Sequence, residues 1–404
     1  MRKTYLYYTL ILLLCSWLSA SAARLTVVIV ADGWQADNLT LGSDAFQTDL
    51  PIRQWYYGGD EVLATLLTGE LPAVHGMTAE TYYSRQDRRE HPFLEDKEES
   101  GLGCAERLSP RHLLCPTLTD RLRRLYGEQS RIYAVGLRPS TTVVMAGHSA
   151  NACCWKDATT GRWATTSFYP EGLPAVADSM NMSRRLRLTE PRANMEVVTL
   201  ALALQRDRKM GEDWVPDLLL LEMDSRAPKA QADLDLLTEQ LDKRVGRTNY
   251  QLLLIGRAWS ANKDEGEEEE SFNVDQAAAL TSAYLMAVYG HERWVDGGLG
   301  QAIFLNRELI EQKHMSLETI QRQVSRFLME FENVQLACPQ YEAYLNPLMS
   351  HSVNKRFAGD VVFTLQPQWN RLSPTVTVLF QGAGRSYYAP QELTALDINK
   401  LVGF

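Results

Sequence analysis

The chain has 404 residues, 45% of them hydrophobic and 23% charged, with a formal net charge of −9. That length supports a large core, either one α/β domain or a core with a cap. The acidic balance argues against a nucleic-acid-binding surface, which needs a basic face, so no nucleic acid is expected as a partner.

Residues 1–22 open on Met1-Arg2-Lys3, run apolar through Leu14 and Trp17-Leu18, and close on Ala20-Ser21-Ala22. A basic start, a short apolar stretch and an A-x-A end describe a cleavable secretory signal. Leu14 is not the small residue expected before a lipidated cysteine, and the stretch is short for an uncleaved anchor. Cleavage removes Arg2 and Lys3 and takes the net charge from −9 to −11. No later segment is long and apolar enough to span a bilayer. The expectation is therefore a secreted protein, periplasmic in a double-membraned bacterium, with no membrane span after cleavage. The mature chain keeps Cys104, Cys115, Cys153, Cys154 and Cys338. Their spacing matches no zinc ribbon, and one disulfide of undetermined pairing suits an oxidising compartment.

Leu25-Thr26-Val27-Val28-Ile29-Val30-Ala31-Asp32-Gly33 is an apolar, β-branched run that stops on an acid and a glycine. It predicts a buried parallel strand that delivers a carboxylate to the C-terminal edge of a sheet. A simple helix-capping role for Asp32 is the competing reading. Gly59-Asp60 leads into a helical stretch through Thr68, and residues 84–109 are polar enough for a solvated excursion. Leu118 to Tyr126 predicts a helix, Arg131 to Gly136 a strand, and Thr142 to Gly147 is another short apolar run. Helices are expected over Asn194–Arg206 and Leu234–Val245. Buried strands are expected over Asp217–Asp224 and Tyr250–Gly256. This alternation argues for an α/β fold with a mostly parallel central sheet and helices on both faces. The run Glu265 to Glu270 reads as a solvated acidic loop. Residues 23–272 are expected to be the first part of the core, 273–358 a mainly helical insertion, and 359–404 the last part of the core.

Five phrases in order carry a resemblance. They are Leu66 to Met77, Ala134-Val135-Gly136-Leu137 with Ala146 to Trp155, Thr160 to Tyr169, Ala302 to Arg307, and Lys355 to Val362. Together they resemble the alkaline phosphatase superfamily, nearest its phosphate-irrepressible and type I phosphodiesterase branch. The resemblance implies an alkaline-phosphatase-like hydrolase fold. It also implies phosphoester hydrolysis by two zinc ions and a Thr or Ser nucleophile.

The family's ligand set maps unevenly onto this chain. Its first Asp matches Asp32. The nucleophile position, nine residues before Thr68, is Gly59, which has no hydroxyl. The family's Asp-x-x-x-His falls on Asp224 to Pro228, which keeps the Asp and replaces the His. Its Asp-His-Gly falls on Arg257-Ala258-Trp259, and the late loop at 366–374 has no His. The phosphate-gripping Asn matches Glu80 or Thr81, and the Lys-x-Arg pair matches Arg138-Pro139-Ser140. Of the metal ligands, Asp32 and Asp224 remain. Two carboxylates without histidines are a poor zinc site, although magnesium accepts such ligands through water. Arg257 at a strand end is expected to pair with Asp32, with Asp224 as a second candidate partner, in place of metal; a solvated Arg257 is the alternative.

The reading that follows is an exported pseudoenzyme without phosphatase activity and with no cofactor, binding or scaffolding in the cell envelope. Its partner would be an unidentified protein or a phosphorylated ligand, gripped by Arg138 and Arg257. The alternative is a metal-dependent phosphoric ester hydrolase with a rebuilt site. There Asp60 would accept the phosphoryl group, with Thr65 further along the same helix, and zinc or magnesium would be required. His75 and His148 belong to the fold signature and are expected in hydrogen-bonded structural roles.

Overall fold

The computed structural model describes residues 23–34, 39–51, 59–183, 193–257, 272–366, 375–382, 394–398 and 402–403. Its strands are β1 (Leu25–Asp32), β2 (Phe46–Pro51), β3 (Thr81–Ser84), β4 (Arg89–Pro92), β5 (Gly101–Leu102), β6 (Ile132–Gly136), β7 (Ala152–Lys156), β8 (Trp163–Thr166), β9 (Asp217–Asp224), β10 (Tyr250–Arg257), β11 (Val295–Leu299), β12 (Ala302–Leu305), β13 (Val334–Pro339), β14 (Val361–Leu365) and β15 (Thr375–Gln381). The helices are α1 (Asp60–Thr68), α2 (Pro72–His75), α3 (Leu118–Tyr126), α4 (Pro139–Ala146), α5 (Ala175–Ser183), α6 (Ala193–Asp207), α7 (Ala230–Arg244), α8 (Val274–Tyr289), α9 (Arg307–Gln312), α10 (Leu317–Leu328) and α11 (Pro347–Ser352).

The apolar runs that end on polar residues lie at the centre of a nine-stranded sheet, ordered β2-β15-β10-β1-β9-β6-β7-β8-β5. Strands β10, β1, β9, β6 and β7 are parallel, and the outer strands β15, β2, β8 and β5 run antiparallel to their neighbours. Side chains alternate across a strand, so each central strand feeds two cores. Val28, Val30, Leu218 and Leu220 pack with Leu63 and Leu67 of α1 and Val143 and Met145 of α4. Val27, Ile29, Leu219 and Leu221 pack with Leu200 and Leu204 of α6 and Leu237 and Leu241 of α7. The fold is α/β, with a mixed sheet covered on both faces.

A smaller antiparallel sheet, β11-β12-β14-β13, carries α8 and α10 against it. The segment 273–358 holds more helix than strand, and its three strands all belong to this smaller sheet. The sheet corrects one expectation. Val361–Leu365 does not return to the central sheet but pairs with β12 and β13; among the described strands after it, β15 makes that return. An apolar β-branched run is buried on both faces in either setting, so its composition does not say which sheet takes it. Buried Asp360 ties the β3–β4 hairpin to this smaller sheet. It accepts from Arg85 Nη1 of the loop after β3 (2.9 Å), from Arg307 Nε (2.6 Å) and from the Leu305 backbone N–H (2.7 Å).

Thr142 to Gly147 falls within and just after α4, which is buried along most of its length and starts with Pro139 in its first turn. The polar stretch 84–109 is partly ordered, since β4 pairs with β3 and β5 with β8. Among the described residues, Cys104, Cys115, Cys153, Cys154 and Cys338 are free thiols. No helix of the described residues is long and apolar enough to cross a membrane. Residues 1–22, the acidic run 265–270 and the loop 367–374 lie outside the described residues.

Candidate functional site

Strand β1 ends on Asp32, and parallel register places Asp224 beside it on β9 and Arg257 beside it on β10. One step back, Val30 pairs with Glu222. Asp32 and Glu222 therefore leave the sheet on the same face, because residues two apart along a strand share a face.

The next parallel strand, β6, ends at Gly136 and turns through Leu137 and Arg138 into α4. That turn is built around Glu222. Glu222 Oε2 accepts from the backbone N–H groups of Leu137 and Arg138, each at 2.8 Å, and Oε1 accepts from Arg138 Nε at 2.7 Å. The outer edge of the same guanidinium donates through Nη2 to Asp32 Oδ2. Glu222 is 1% exposed and Arg138 36% exposed, so the pair runs from the interior to the surface. Burial would lower the Arg138 pKa, but the charges of Asp32 and Glu222 outweigh it and hold the guanidinium above its ordinary value. Burial, and then the Asp32 charge, push Glu222 up to about 8 against the pull of Arg138.

Further carboxylates surround this bridge. Asp60, at the start of α1, is fully buried, and its Oδ1 accepts from Thr141 Oγ1 at 2.8 Å. Burial raises its pKa, while Ser140, Arg138 and Thr141 hold it down. Glu61 Oε1 accepts from the Gly59 backbone N–H at 2.8 Å. A Cβ on Gly59 would lie 2.7 Å from Glu80 Oε1 and 3.0 Å from Glu61 Oε2. Partial burial and the Asp60 charge raise the Glu80 carboxyl, with Arg138 acting the other way. Among the described residues Arg138 is thus one guanidinium among Asp32, Asp60, Glu80 and Glu222.

Asp224 turns away from this group. Its Oδ1 accepts from the backbone N–H of Arg226 at 2.9 Å and lies 3.3 Å from Arg226 Nε, at the surface. Its backbone is locked to Asn194 by reciprocal hydrogen bonds of 2.8 and 2.9 Å. The described cation on Asp32 is Arg138; the expected Arg257 to Asp32 pair falls on a side chain outside the described residues. Backbone register fixes Arg257 next to Asp32, and the Arg257 side chain lies outside the described residues. Ala258 and Trp259 lie outside them as well.

The remaining candidates take structural positions. Thr65 Oγ1 donates to the Glu61 carbonyl and lies 3.0 Å from His75 Nε2, and the Met77 N–H donates to His75 Nδ1. Burial pushes His75 down to about 3, which keeps the ring neutral. His148 lies 2.9 Å from Asp120, which caps α3 and also accepts from Ser149.

Glu222 was missing from the residues singled out by motif. Its signal is a lone carboxylate inside Leu218-Leu219-Leu220-Leu221-Glu222-Met223, where a buried strand otherwise takes apolar side chains.

A two-zinc centre does not fit this donor set. Tetrahedral zinc wants about four ligands, usually with N or S donors. Here the inner face of Asp32 is held by a guanidinium, and Asp224 is turned onto Arg226. Among the described residues no group of three or more His, Cys, Asp or Glu side chains is placed to hold a metal ion.

The sheet order and the strand-end position of Asp32 define a mixed α/β fold with acidic side chains gathered at the C-terminal edge of its central strands. No family model matches the chain. Alkaline phosphatase PhoV of Synechococcus elongatus is 28% identical over 124 residues, 30% of this chain and 22% of PhoV, so that match takes in less than a quarter of the relative. Alkaline phosphatase PafA of Elizabethkingia meningoseptica is 20% identical over an alignment of 421 positions, covering 79% of this chain and 77% of PafA. The crystal structure of wild-type PafA superposes with a TM-score of 0.78 at 18% identity, covering 94% of this chain and 95% of that one. Phosphonoacetate hydrolase from Sinorhizobium meliloti 1021, in complex with phosphonoformate, superposes with a TM-score of 0.51 at 13% identity and similar coverage, 94% and 95%. The chain is thus similar in sequence to alkaline phosphatases and shares the fold of the alkaline phosphatase superfamily.

Proposed function

We propose that this chain is an exported pseudoenzyme of the superfamily, without phosphatase activity, acting by binding or scaffolding in the cell envelope. One observation carries the reading. The carboxylate expected to hold zinc is held by Arg138, which also clamps Glu222. A guanidinium bonded to two carboxylates occupies the place of a cation and offers no open coordination position for a phosphoryl oxygen.

The neighbouring groups support the same conclusion. Gly59 supplies no nucleophile, and Glu80 crowds the space in front of it. Carboxylates outnumber the described cation, so a phosphate ester would meet like charge. Arg138 is committed to its own carboxylates, which favours a protein partner over a phosphorylated ligand. The rebuilt hydrolase would need Asp60 to reach a substrate, and Asp60 is buried against Thr141. The pattern of residues 1–22 supports export to the envelope.

Metal analysis of the purified protein, beside hydrolysis assays with an aryl phosphate monoester and a diester in excess zinc, tests the proposal. The expected result is no stoichiometric zinc and no turnover above buffer. Stoichiometric zinc together with turnover that Asp32→Ala abolishes would overturn it.

A further inference from the structure

The outer face of α8 differs from the other long helices. Its inner residues Ala277, Ala278, Thr281 and Leu285 are buried on the four-stranded sheet. Its outward residues are Ala279, Leu280, Ala283, Ala287 and Val288, all exposed, with Leu280 at 45% and Val288 at 48%. No charged residue occurs from Gln276 to Gly290. Helix α10 packs on the same sheet and points Glu318, Arg322 and Arg326 to solvent, and α7 exposes Asp235, Glu239 and Lys243. A surface helix is ordinarily polar on its outer face. An apolar stripe about 15 Å long, from Ala279 to Val288, is a contact surface.

We infer that α8 is the seam of a homodimer, packed antiparallel against α8 of a second copy across a two-fold axis at Ala283. The face is self-complementary. Antiparallel pairing about Ala283 sets Ala279 against Ala287 of the second copy and Leu280 against its Met286 and Ala287. Alanine at the centre lets the two backbones approach, and Leu280 and Val288 fill the flanks. The ends complement each other in charge. Exposed Asp275 in the first turn meets exposed His291 and Arg293 after the last turn of the second copy, where the intervening Glu292 is paired with Lys313 of its own chain. The helix dipoles oppose, so each positive N-terminus meets a negative C-terminus. An isologous contact of this kind closes at two copies. One helix stripe is small beside the roughly 800 Å² per partner of a standard interface, so the dimer is expected to dissociate on dilution.

Sedimentation equilibrium of the full chain over a range of concentrations tests this. The wild type should move reversibly between monomer and dimer. Ala283→Arg, which sets two guanidinium groups on the axis, and Leu280→Lys should both stay monomeric with unchanged far-UV circular dichroism and thermal midpoint. Ala283→Cys should form a disulfide-linked dimer under mild oxidation that the wild type does not form. A wild type that remains monomeric at its highest soluble concentration overturns the inference. So does a monomer that sediments with neutral phosphatidylcholine vesicles, or a dimer indifferent to both charged substitutions. An Ala283→Cys protein that dimerises without cross-linking overturns it too.

Discussion

Arg138 grips Glu222 from two directions, through its own backbone N–H at 2.8 Å and through Nε at 2.7 Å. The same guanidinium reaches Asp32, so the ends of β1, β6 and β9 are joined by one side chain. Arg138→Ala would leave two carboxylates facing each other across the gap. Breaking a buried pair costs about 3–5 kcal/mol, and the part-exposed guanidinium brings the expectation to about 2–3 kcal/mol. Urea denaturation would read this as a lower midpoint with an unchanged slope. Arg138→Lys should recover only part of the loss, because an ammonium cannot bond both carboxylates in fork geometry.

The Glu222 carboxyl titrates beside Asp32 and the Arg138 guanidinium, and this sets a pH dependence. Glu222 rises to about 8 in the folded protein from an ordinary value of 4.5. Between those values the folded chain holds a proton that the unfolded chain has released, so stability falls as pH rises through the window. The urea midpoint should decline from pH 5 to pH 9, and Glu222→Gln should flatten the decline. An unchanged slope in that variant would assign the proton elsewhere.

His75 acts on the acid side with the opposite sign. Its folded value of about 3 lies below the 6.5 of a free imidazole. Its contribution is therefore complete above pH 6.5 and is lost as pH falls towards 3, where the unfolded ring binds a proton that the buried ring refuses. His75→Gln, which keeps an amide near Thr65, should lessen the loss of stability below pH 6, read by thermal midpoints at pH 4, 5 and 7.

Restoring a hydroxyl at the vacant position should not restore chemistry. Gly59 has φ −149°, open to any residue, and the nearest obstacle to a Cβ is the end of the Glu80 side chain. Gly59→Ser should fold with a midpoint change of under about 1 kcal/mol, since a flexible carboxylate can move aside. Neither it nor Gly59→Ser with Glu80→Asn should hydrolyse an aryl phosphate in zinc. Turnover from either variant would mean that Arg138 yields its place to metal.

Asp360 should control the smaller sheet selectively. Asp360→Ala leaves Arg85, Arg307 and the Leu305 N–H without their shared acceptor. A loss of about 3 kcal/mol is expected from a buried carboxylate bonded to two guanidinium groups. Hydrogen exchange should rise first in β12 and β14, with β1 and β9 still protected.

Much of the central sheet was legible beforehand. Leu25–Asp32, Asp217–Asp224 and Tyr250–Arg257 are apolar, bounded by polar residues and separated by helices, and local pattern suffices for such strands. Asp32 was legible as a strand-end carboxylate for the same reason. The direction of Arg138 was not, because a side chain after a strand can turn to either neighbouring strand, and that depends on which strand is adjacent. Strand order places β9 beside β6 and makes Glu222 its partner. Glu222 itself was hidden by its context, since a buried acid is intelligible only once its donors are known. The placement of β14 was illegible on similar grounds: its apolar run suits any sheet, and Asp360, which marks its sheet, acts through residues far away in the chain.

The three donors on Glu222 have a consequence for supply. The turn amides of Leu137 and Arg138 and the guanidinium beside them form an anion cradle, and the chain fills that cradle with its own carboxylate. Cation and anion are both written into the polypeptide, so they arrive with the ribosome's product and cannot be stripped by a chelator. If the metal-free function proposed above holds, the thermal midpoint should not move on dialysis against EDTA, and a fall in the midpoint would count against it.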